Sequence, residues 1–345
     1  MWQTIGQEAA LTALERALAS GRPAHAYLFS GPAGVGKKTA ALDFAAALNC
    51  TGATPPCGEC RPCRDTYAAG HTDVELVAPG GLCDESEHRD HADSRDLRIC
   101  QIRRLQRVLS LAPYSGARRV AILEAADSLH MEAANAFLKT LEEPPDGTVI
   151  ILLAEREERL PETVRSRCQR IAFRPVAKDA VAAALRDRGA SPEQAELLAL
   201  TAGGRIGWAI RALADPDLLT ERGGMLDAAL RVVHGNLTER FAWARAGESR
   251  APETRERCIR ELALWEGWWR DVLAAGAGAS AGLVNRDRER TLLEEGKLYA
   301  VAAVIAFLRS LAATREHLRA NIDPQLALEN LILDLPRPQG AGRSQ

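Results

Sequence analysis

Apolar residues in the first half of the chain follow two alternating patterns. Short apolar runs, typical of strands buried on both faces, occur at residues 26–29, 119–124 and 148–153, and a short alternating run occurs at 73–77. Between these runs, apolar side chains recur at helical spacing, for example Ile102, Leu105 and Leu109. Strands that alternate with helices predict an α/β fold with a parallel sheet covered by helices on both faces.

The strand patterns end after Pro175. Residues 176–214 have the periodicity of short helices, and the chain beyond them is helical almost throughout. Trp265, Trp268 and Trp269 lie close together on one predicted helix, and we interpret them as core residues rather than as base-binding ones.

Composition and charge place the chain among soluble globular proteins. It has 345 residues, of which 46% are hydrophobic and 26% charged, enough for more than one domain. The net charge of −2 gives no general attraction to nucleic acid, so a DNA contact would need a local basic patch. No apolar run reaches membrane-spanning length and the N-terminus does not resemble a signal peptide, so we expect a cytoplasmic protein without a membrane partner.

Residues 29–39 carry a phosphate-loop pattern between a predicted strand and a predicted helix. The pattern G-x-x-x-x-G-K, with one further glycine inside it, is formed by Gly31, Gly34, Gly36 and Lys37. Glycines let the backbone N–H groups converge on a phosphate, the helix start adds its positive end, and the lysine reaches the outer phosphates. The alternative is a glycine-rich turn without a ligand.

The residue after the loop lysine breaks the pattern. A Ser or Thr there supplies the hydroxyl that ligates Mg²⁺, whereas this chain has Lys38, and Thr39 comes one position too late. Glu124, at the end of a predicted strand, takes the place of the metal-binding acid, but Ala125 follows where a water-activating glutamate is needed. We expect a loop that can hold the phosphates of ATP or ADP but is poorly equipped for hydrolysis.

Four cysteines have the spacing of a metal site. Cys57, Cys60 and Cys63 form C-x-x-C-x-x-C on a turn-rich segment, and Cys50 is the natural fourth ligand. Because cytoplasmic thiols are reduced, we expect a structural Zn²⁺ rather than disulfides, an iron–sulfur cluster or unligated thiols. The remaining thiols are interpreted as a loop residue and three buried ones, and the nearby histidines as solvated: Cys83, Cys100, Cys168 and Cys258, with His71, His88 and His91.

Three arginines, Arg103, Arg104 and Arg107, lie on the polar faces of the helix predicted from residue 97 to residue 111. A solvated basic face explains them more simply than a contact with DNA.

Several longer motifs resemble one protein family, the bacterial DNA polymerase III clamp-loader subunits of the AAA+ class. They are His25–Phe29 before the phosphate loop, the four-cysteine module after it, the run Ala134–Pro145 and the triplet Ser166–Cys168. The resemblance extends to about Leu213 and returns at 321–326.

The departures from the family pattern imply a subunit that does not hydrolyse ATP. Besides Lys38 and Ala125, the polar first-sensor residue aligns with Ala154 and the second-sensor arginine with Gly207. The arginine of the Ser166–Cys168 triplet, Arg167, is retained. The resemblance therefore implies that Arg167 acts in trans on ATP bound by a neighbouring gamma/tau subunit.

The resemblance also implies the domain organisation and the partners. We expect an AAA+ domain with the zinc module over residues 1–174, a helical lid over 175–222, an all-helical collar over 223–337 and a disordered tail over 338–345. The partners would be gamma/tau and delta in a hetero-pentamer, the sliding clamp and primed DNA. The alternatives are an active ATPase subunit of the gamma/tau type and a zinc-containing DNA-binding adaptor.

Overall fold

The computed structural model describes residues 1–83, 94–245, 252–279, 283–320 and 322–339. His88, His91, Asn321 and positions 340–345 of the predicted tail lie outside the described residues. Gln339, which does belong to the described part of that tail, donates its N–H to the Leu298 carbonyl at 2.6 Å.

The chain divides into two compact units, Met1–Gly189 with Gly204–Trp208, and Ala190–Gly203 with Ala209–Gln345. The three-domain division stays a prediction. No helix among the described residues is alone long and apolar enough to cross a membrane. One bent pair, Arg286–Leu298 with Val301–Arg319, meets that criterion by length and composition when taken together.

The strands are β1 Ala26–Ser30, β2 Val74–Val77, β3 Arg119–Leu123, β4 Thr148–Ala154 and β5 Gln169–Ala172. The helices that precede or alternate with them are α1 Glu8–Ala19, α2 Lys37–Leu48, α3 Arg61–Tyr67, α4 Ile99–Leu109, α5 Met131–Glu142, α6 Glu162–Arg165 and α7 Lys178–Arg186. The remaining helices are α8 Pro192–Ala202, α9 Ile206–Ala214, α10 Asp217–His234, α11 Leu237–Ala244, α12 Pro252–Gly276, α13 Glu289–Leu298, α14 Val301–Arg319 and α15 Pro324–Leu333.

The five strands form one parallel sheet in the order β2-β3-β4-β1-β5. β3 and β4 are buried along their whole length, as their unbroken apolar runs predict, whereas the edge strands β2 and β5 are partly exposed. Because the carboxyl ends of parallel strands share one edge, the segments that follow β1, β3 and β4 are neighbours.

Alternate residues of β1 face two separate cores. Tyr27 and Phe29 pack on the side of α1 and α2, where the Tyr27 and Phe44 rings are 5.2 Å apart. Leu28 packs on the opposite side with residues of α4 and α5, including Phe137. Helices thus cover both faces, and the predicted α/β fold class is confirmed.

The second unit is helical, as predicted, and is built around aromatic residues. Trp265, Trp268 and Trp269 are buried, and the Trp269 and Phe307 rings lie 5.2 Å apart in an edge-to-face arrangement. The interpretation of the three tryptophans as core residues is confirmed.

The structure differs from the sequence predictions at two places. The segment that carries Cys57, Cys60 and Cys63 is predicted to be rich in turns, but α3 begins within it at Arg61. His71 is buried rather than solvated, and its Nδ1 accepts a hydrogen bond from the N–H of Asp73 at 3.0 Å.

A buried ion pair joins the edge strand β2 to β3. Asp73 accepts hydrogen bonds from the N–H groups of Tyr114, Ser115 and Gly116 at 2.7 to 2.8 Å, and from Arg119 Nη2 at 3.1 Å. Burial alone would raise the pKa of Asp73, but these donors outweigh it and lower the pKa. The carboxylate therefore fixes the loop before β3.

We expect Asp73→Asn to lower the free energy of unfolding by about 3–5 kcal/mol, because Arg119 is left buried without its partner. Since folding lowers the pKa of Asp73, its contribution is present above the unfolded pKa of about 4 and is lost as the pH falls through the folded pKa. Urea unfolding at neutral and acidic pH measures both effects. Glu294→Gln, which removes an exposed partner of Arg290, is the matched control, and an equal loss there would contradict the assignment.

Candidate functional site

The first candidate site is the turn between β1 and α2, at the carboxyl edge of the sheet. Gly31 has a φ of 148°, and a Cβ added there would come within 2.2 Å of the Phe173 carbonyl oxygen. Gly36, immediately before α2, has a φ of 103°, and Gly34 also has a positive φ. The backbone is therefore as tightly curled as the phosphate-loop pattern requires.

Lys37, the first residue of α2, is turned into the loop. Its Nζ donates hydrogen bonds to the carbonyl oxygens of Gly31 at 2.5 Å and Pro32 at 2.7 Å. Burial lowers the pKa of Lys37, and the nearby carboxylates of Glu155 and Asp127 oppose that shift. A bound phosphate would exchange places with the two carbonyls as the acceptor.

The start of α2 can accept an anion. Within the described residues, no side chain caps the start of this helix. The first helical N–H group that donates to a backbone carbonyl is that of Ala40, which donates to the Gly36 carbonyl. The N–H groups of Lys37, Lys38 and Thr39 precede it at the positive end of the helix, where phosphate oxygens bind well. The loop thus fits a phosphate group.

Lys38 and Glu124, the residues that stand where a metal-using phosphate loop has its Mg²⁺ ligands, form an ion pair with each other. Lys38 Nζ lies 2.7 Å from Glu124 Oε1, and the two side chains are 52% and 28% exposed. The half-buried Thr39 makes no hydrogen bond to other described residues through its side chain. Because an ammonium stands where a hydroxyl ligand is needed, these residues do not fit Mg²⁺.

The residue after Glu124 is an alanine, where a phosphate loop that hydrolyses ATP needs a residue that activates water. Ala125 follows Glu124 directly and has a φ of 49°, in the left-handed region that alanine rarely adopts. The next acid, Asp127, accepts a hydrogen bond from the N–H of Arg156 at 3.2 Å.

The backbones of the two predicted sensor positions contact the loop. Ala154 is buried at the end of β4, and its carbonyl accepts a hydrogen bond from the N–H of Gly31 at 3.2 Å. The N–H of Gly207 donates to the Gly34 carbonyl at 2.8 Å, and a Cβ at Gly207 would lie only 3.2 Å from that oxygen. The close approach of the two backbones favours glycine at position 207.

The second candidate site is the cysteine cluster, which could hold a metal ion such as zinc. The Sγ atoms of Cys50, Cys57, Cys60 and Cys63 all lie within 4.8 Å of one another. The Cys57–Cys63 and Cys50–Cys60 Sγ pairs are both 3.9 Å apart. Zn–S bonds of about 2.3 Å in a tetrahedron place the sulfurs roughly 3.8 Å apart, so the cluster has nearly the size that Zn²⁺ needs.

The ends of two helices position these thiols. Cys50 follows α2, Cys60 precedes α3 and Cys63 lies in its first turn. Gly52 makes room between them, since a Cβ there would come within 2.9 Å of the Cys57 Cβ. The N–H groups of Gly52 and Cys60 each donate to a thiol sulfur at 3.3 Å, as is common around bound thiolates.

The protonation of the cluster is uneven. Backbone N–H groups lower the pKa of Cys57. Burial would raise the pKa of Cys60, but hydrogen bonds from the backbone of Thr51 and Cys63 and from neighbouring thiols lower it to about 6. Burial raises the pKa of Cys63 to about 12. A metal must displace the protons that remain, so its affinity falls as the pH falls.

Arg167 lies just after α6, held by contacts within its own chain. Its Nη1 donates to the Thr163 carbonyl at 2.8 Å, and its Nη2 pairs with Glu142 Oε1 at 2.6 Å. The two side chains of the pair are 34% and 50% exposed. The guanidinium of Arg167 is therefore accessible to solvent. Its ion pair with Glu142 is weak, because exposed ion pairs contribute little free energy.

Two residues close to Arg167 pack toward the interior. Ile171 is buried, and Cys168 is half-buried, with burial raising the pKa of its thiol to about 12. A thiol so rarely ionised is unreactive, which fits a packing role.

The basic face of α4 is only partly solvated. Arg104 forms an ion pair with Glu75 of β2 and is 21% exposed. Its guanidinium serves the attachment of α4 to the sheet, so the interpretation of a solvated arginine is wrong for Arg104.

Sequence reasoning did not foresee two acidic partners, Glu124 for Lys38 and Glu142 for Arg167. Both acids belong to segments that the sequence singles out, the end of β3 and the run Ala134–Pro145. The pairs themselves join residues far apart in the chain, which local patterns do not reveal.

Comparisons with known proteins agree with the motifs. Residues 6–177 match the family model described as DNA polymerase III, delta subunit. The DNA polymerase III subunit delta' of Bacillus subtilis is 29% identical over 317 residues, 91% of this chain and 91% of that protein. The subunit of the same name from Pseudomonas aeruginosa is 38% identical over 186 residues, 52% of this chain and 53% of that protein.

One solved structure, a DNA polymerase III gamma subunit-related protein from Thermotoga maritima, covers 94% of this chain and 97% of its own chain. Its identity is 18% and its TM-score 0.42, a likeness too distant to add to the motifs.

We expect the purified chain to contain about one zinc ion, held by the four clustered thiols. Cys60→Ser should lose the metal and destabilise the first unit, while the helices of the second unit stay folded. Elemental analysis with thermal unfolding measures both, and Cys83→Ser, outside the cluster, should keep the metal. Metal content near zero in protein never exposed to a chelator would contradict the assignment.

Proposed function

The chain belongs to the delta-prime family of DNA polymerase III clamp-loader subunits, and from that premise we propose that it is the non-hydrolysing stator of the loader. In this role it assembles with gamma/tau and delta subunits into a hetero-pentamer in the cytoplasm. The complex opens the ring-shaped sliding clamp and places it on primed DNA. The family predicted from the motifs is confirmed, and the stator role is the further step.

The observation that carries the proposal is the ion pair between Lys38 and Glu124. Hydrolysis at a phosphate loop depends on a metal held by a hydroxyl and an acid, and on a carboxylate that activates water. Here an ammonium replaces the hydroxyl, the acid is neutralised by it, and Ala125 offers no carboxylate. Nucleotide binding through Lys37 and the loop N–H groups remains part of the proposal, but turnover does not.

In this proposal, Arg167 is the residue through which the chain contributes to ATP hydrolysis. It acts in trans on ATP held by the neighbouring gamma/tau subunit, where its charge stabilises the transition state. The planar guanidinium can bridge two phosphate oxygens, which a lysine cannot do. The partial exposure of Arg167 and its weak pairing with Glu142 support this role, because a triphosphate carries more charge than one carboxylate.

The remaining parts have structural roles in this proposal. The zinc module stabilises the AAA+ domain over residues 1–174, the helices over 175–222 act as a lid, and those over 223–337 form the collar that oligomerises. We propose no intrinsic enzyme activity for the isolated chain.

Neither alternative gains support from the site. An active gamma/tau-type ATPase needs the hydroxyl and the glutamate that Lys38 and Ala125 replace. A DNA-binding adaptor needs a free basic surface, whereas the net charge is −2 and Arg104 is paired with Glu75.

The isolated chain should show no steady-state ATP hydrolysis above background, because neither the metal nor the water-activating group has its ligand. Lys38→Thr alone should not create an ATPase, since Ala125 remains. A phosphate-release assay measures this, with a gamma/tau subunit as the positive control. Hydrolysis that Lys37→Ala abolishes would show that the loop is catalytically active after all.

Arg167→Ala should leave folding and assembly intact but lower clamp-stimulated ATPase and clamp loading by the reconstituted complex. Trans-acting arginines contribute on the order of 10³-fold at the site they serve, so hydrolysis at the adjacent gamma/tau site should nearly stop while other sites continue. Arg165→Ala, two residues earlier at the end of α6, is the matched control and should have a smaller effect. Clamp loading at the wild-type rate by a properly assembled Arg167→Ala complex would rule out this role.

A further inference from the structure

The Lys38–Glu124 pair has a consequence beyond the loss of hydrolysis. In a phosphate loop that uses a metal, the hydroxyl after the loop lysine and the strand-end acid approach the same Mg²⁺. In this chain the corresponding side chains touch each other, with Lys38 Nζ 2.7 Å from Glu124 Oε1. The ammonium neutralises the acid directly, so the acid needs no metal.

We infer that Lys38 is a tethered cation that replaces Mg²⁺, so that the loop binds a nucleoside diphosphate or triphosphate without a divalent metal. The inference rests on the part of the proposed function that assigns nucleotide phosphates to this loop. It is independent of the role of Arg167.

The charges around the loop support this replacement. Phosphates at the start of α2 meet two ammonium groups, Lys37 inside the loop and Lys38 beside it, together with the uncapped N–H groups of the helix. Of the acids nearby, Glu124 is neutralised by Lys38 and Asp127 accepts a backbone N–H. Glu155 faces Lys37.

A divalent metal is disfavoured at the same place. It would have to displace the Lys38 ammonium from Glu124, and the like charges would then repel each other at close range. It would also lack the hydroxyl ligand, because Thr39 lies one residue further round the helix.

Equilibrium binding of ADP to the full isolated chain, measured by calorimetry in EDTA and in excess Mg²⁺, tests the inference. The wild-type affinity should agree within about threefold between the two conditions. Lys38→Thr should weaken binding about tenfold in EDTA, because a positive charge near the phosphates is lost, and should recover affinity in Mg²⁺. Lys297→Thr, at an exposed position of α13, is the matched control and should match the wild type in both conditions.

Lys38→Met is a second variant that separates the loss of charge from the loss of side-chain volume in Lys38→Thr. Methionine keeps an apolar stem of similar length and removes only the charge. This variant should bind ADP more weakly than the wild type in EDTA, with an unchanged circular dichroism spectrum. Wild-type binding that Mg²⁺ strengthens tenfold or more, undetectable wild-type binding of ADP at millimolar concentration, or unimpaired binding by Lys38→Met in EDTA would each overturn the inference. If Arg167→Ala loads clamps normally but ADP binds without metal, the stator proposal fails and this inference stands.

Discussion

A parallel sheet brings the carboxyl ends of its strands to one edge, and the chemistry of this protein depends on that constraint. The order β2-β3-β4-β1-β5 places β4 between β1 and β3, so the segments after all three strands converge. The phosphate loop follows β1, Glu124 follows β3 and Ala154 ends β4. The contact of Lys38 with Glu124 exists because two strands distant in sequence end at the same place.

The helix that begins in the phosphate loop is also the attachment point of the cysteine module. Asp43 of α2 is fully buried and accepts hydrogen bonds from the Thr4 N–H at 2.9 Å and from the Tyr67 hydroxyl of α3 at 2.8 Å. Cys63 Sγ lies 3.8 Å from the Ala46 carbonyl oxygen on the same helix. A metal in the cluster would therefore tie α3 to α2 and, through α2, stabilise the helix that carries Lys37 and Lys38.

Features that depend on local pattern are predictable from the sequence, and features that depend on pairing are not. Periodicity predicts the buried strands, turn conformation predicts the loop glycines, and coordination chemistry predicts the cysteine cluster. The structure has all three. The sequence predicts a solvated His71, but the side chain is buried, because the fold and not the local composition decides which side chains are covered. The Glu142–Arg167 and Lys38–Glu124 pairs likewise require the fold before the partner of each cation can be named.

The central claim is that this chain contributes an arginine to a neighbouring site while its own loop hydrolyses nothing. Rapid-quench kinetics of the assembled loader, with clamp and primed DNA, counts the ATP molecules hydrolysed per complex in the first turnover. The expected amplitude equals the number of gamma/tau subunits in the complex, because the loop with Lys38 and Ala125 adds none. An amplitude larger by one ATP per complex, which Lys37→Ala in this chain reduces to the gamma/tau number, would contradict the claim.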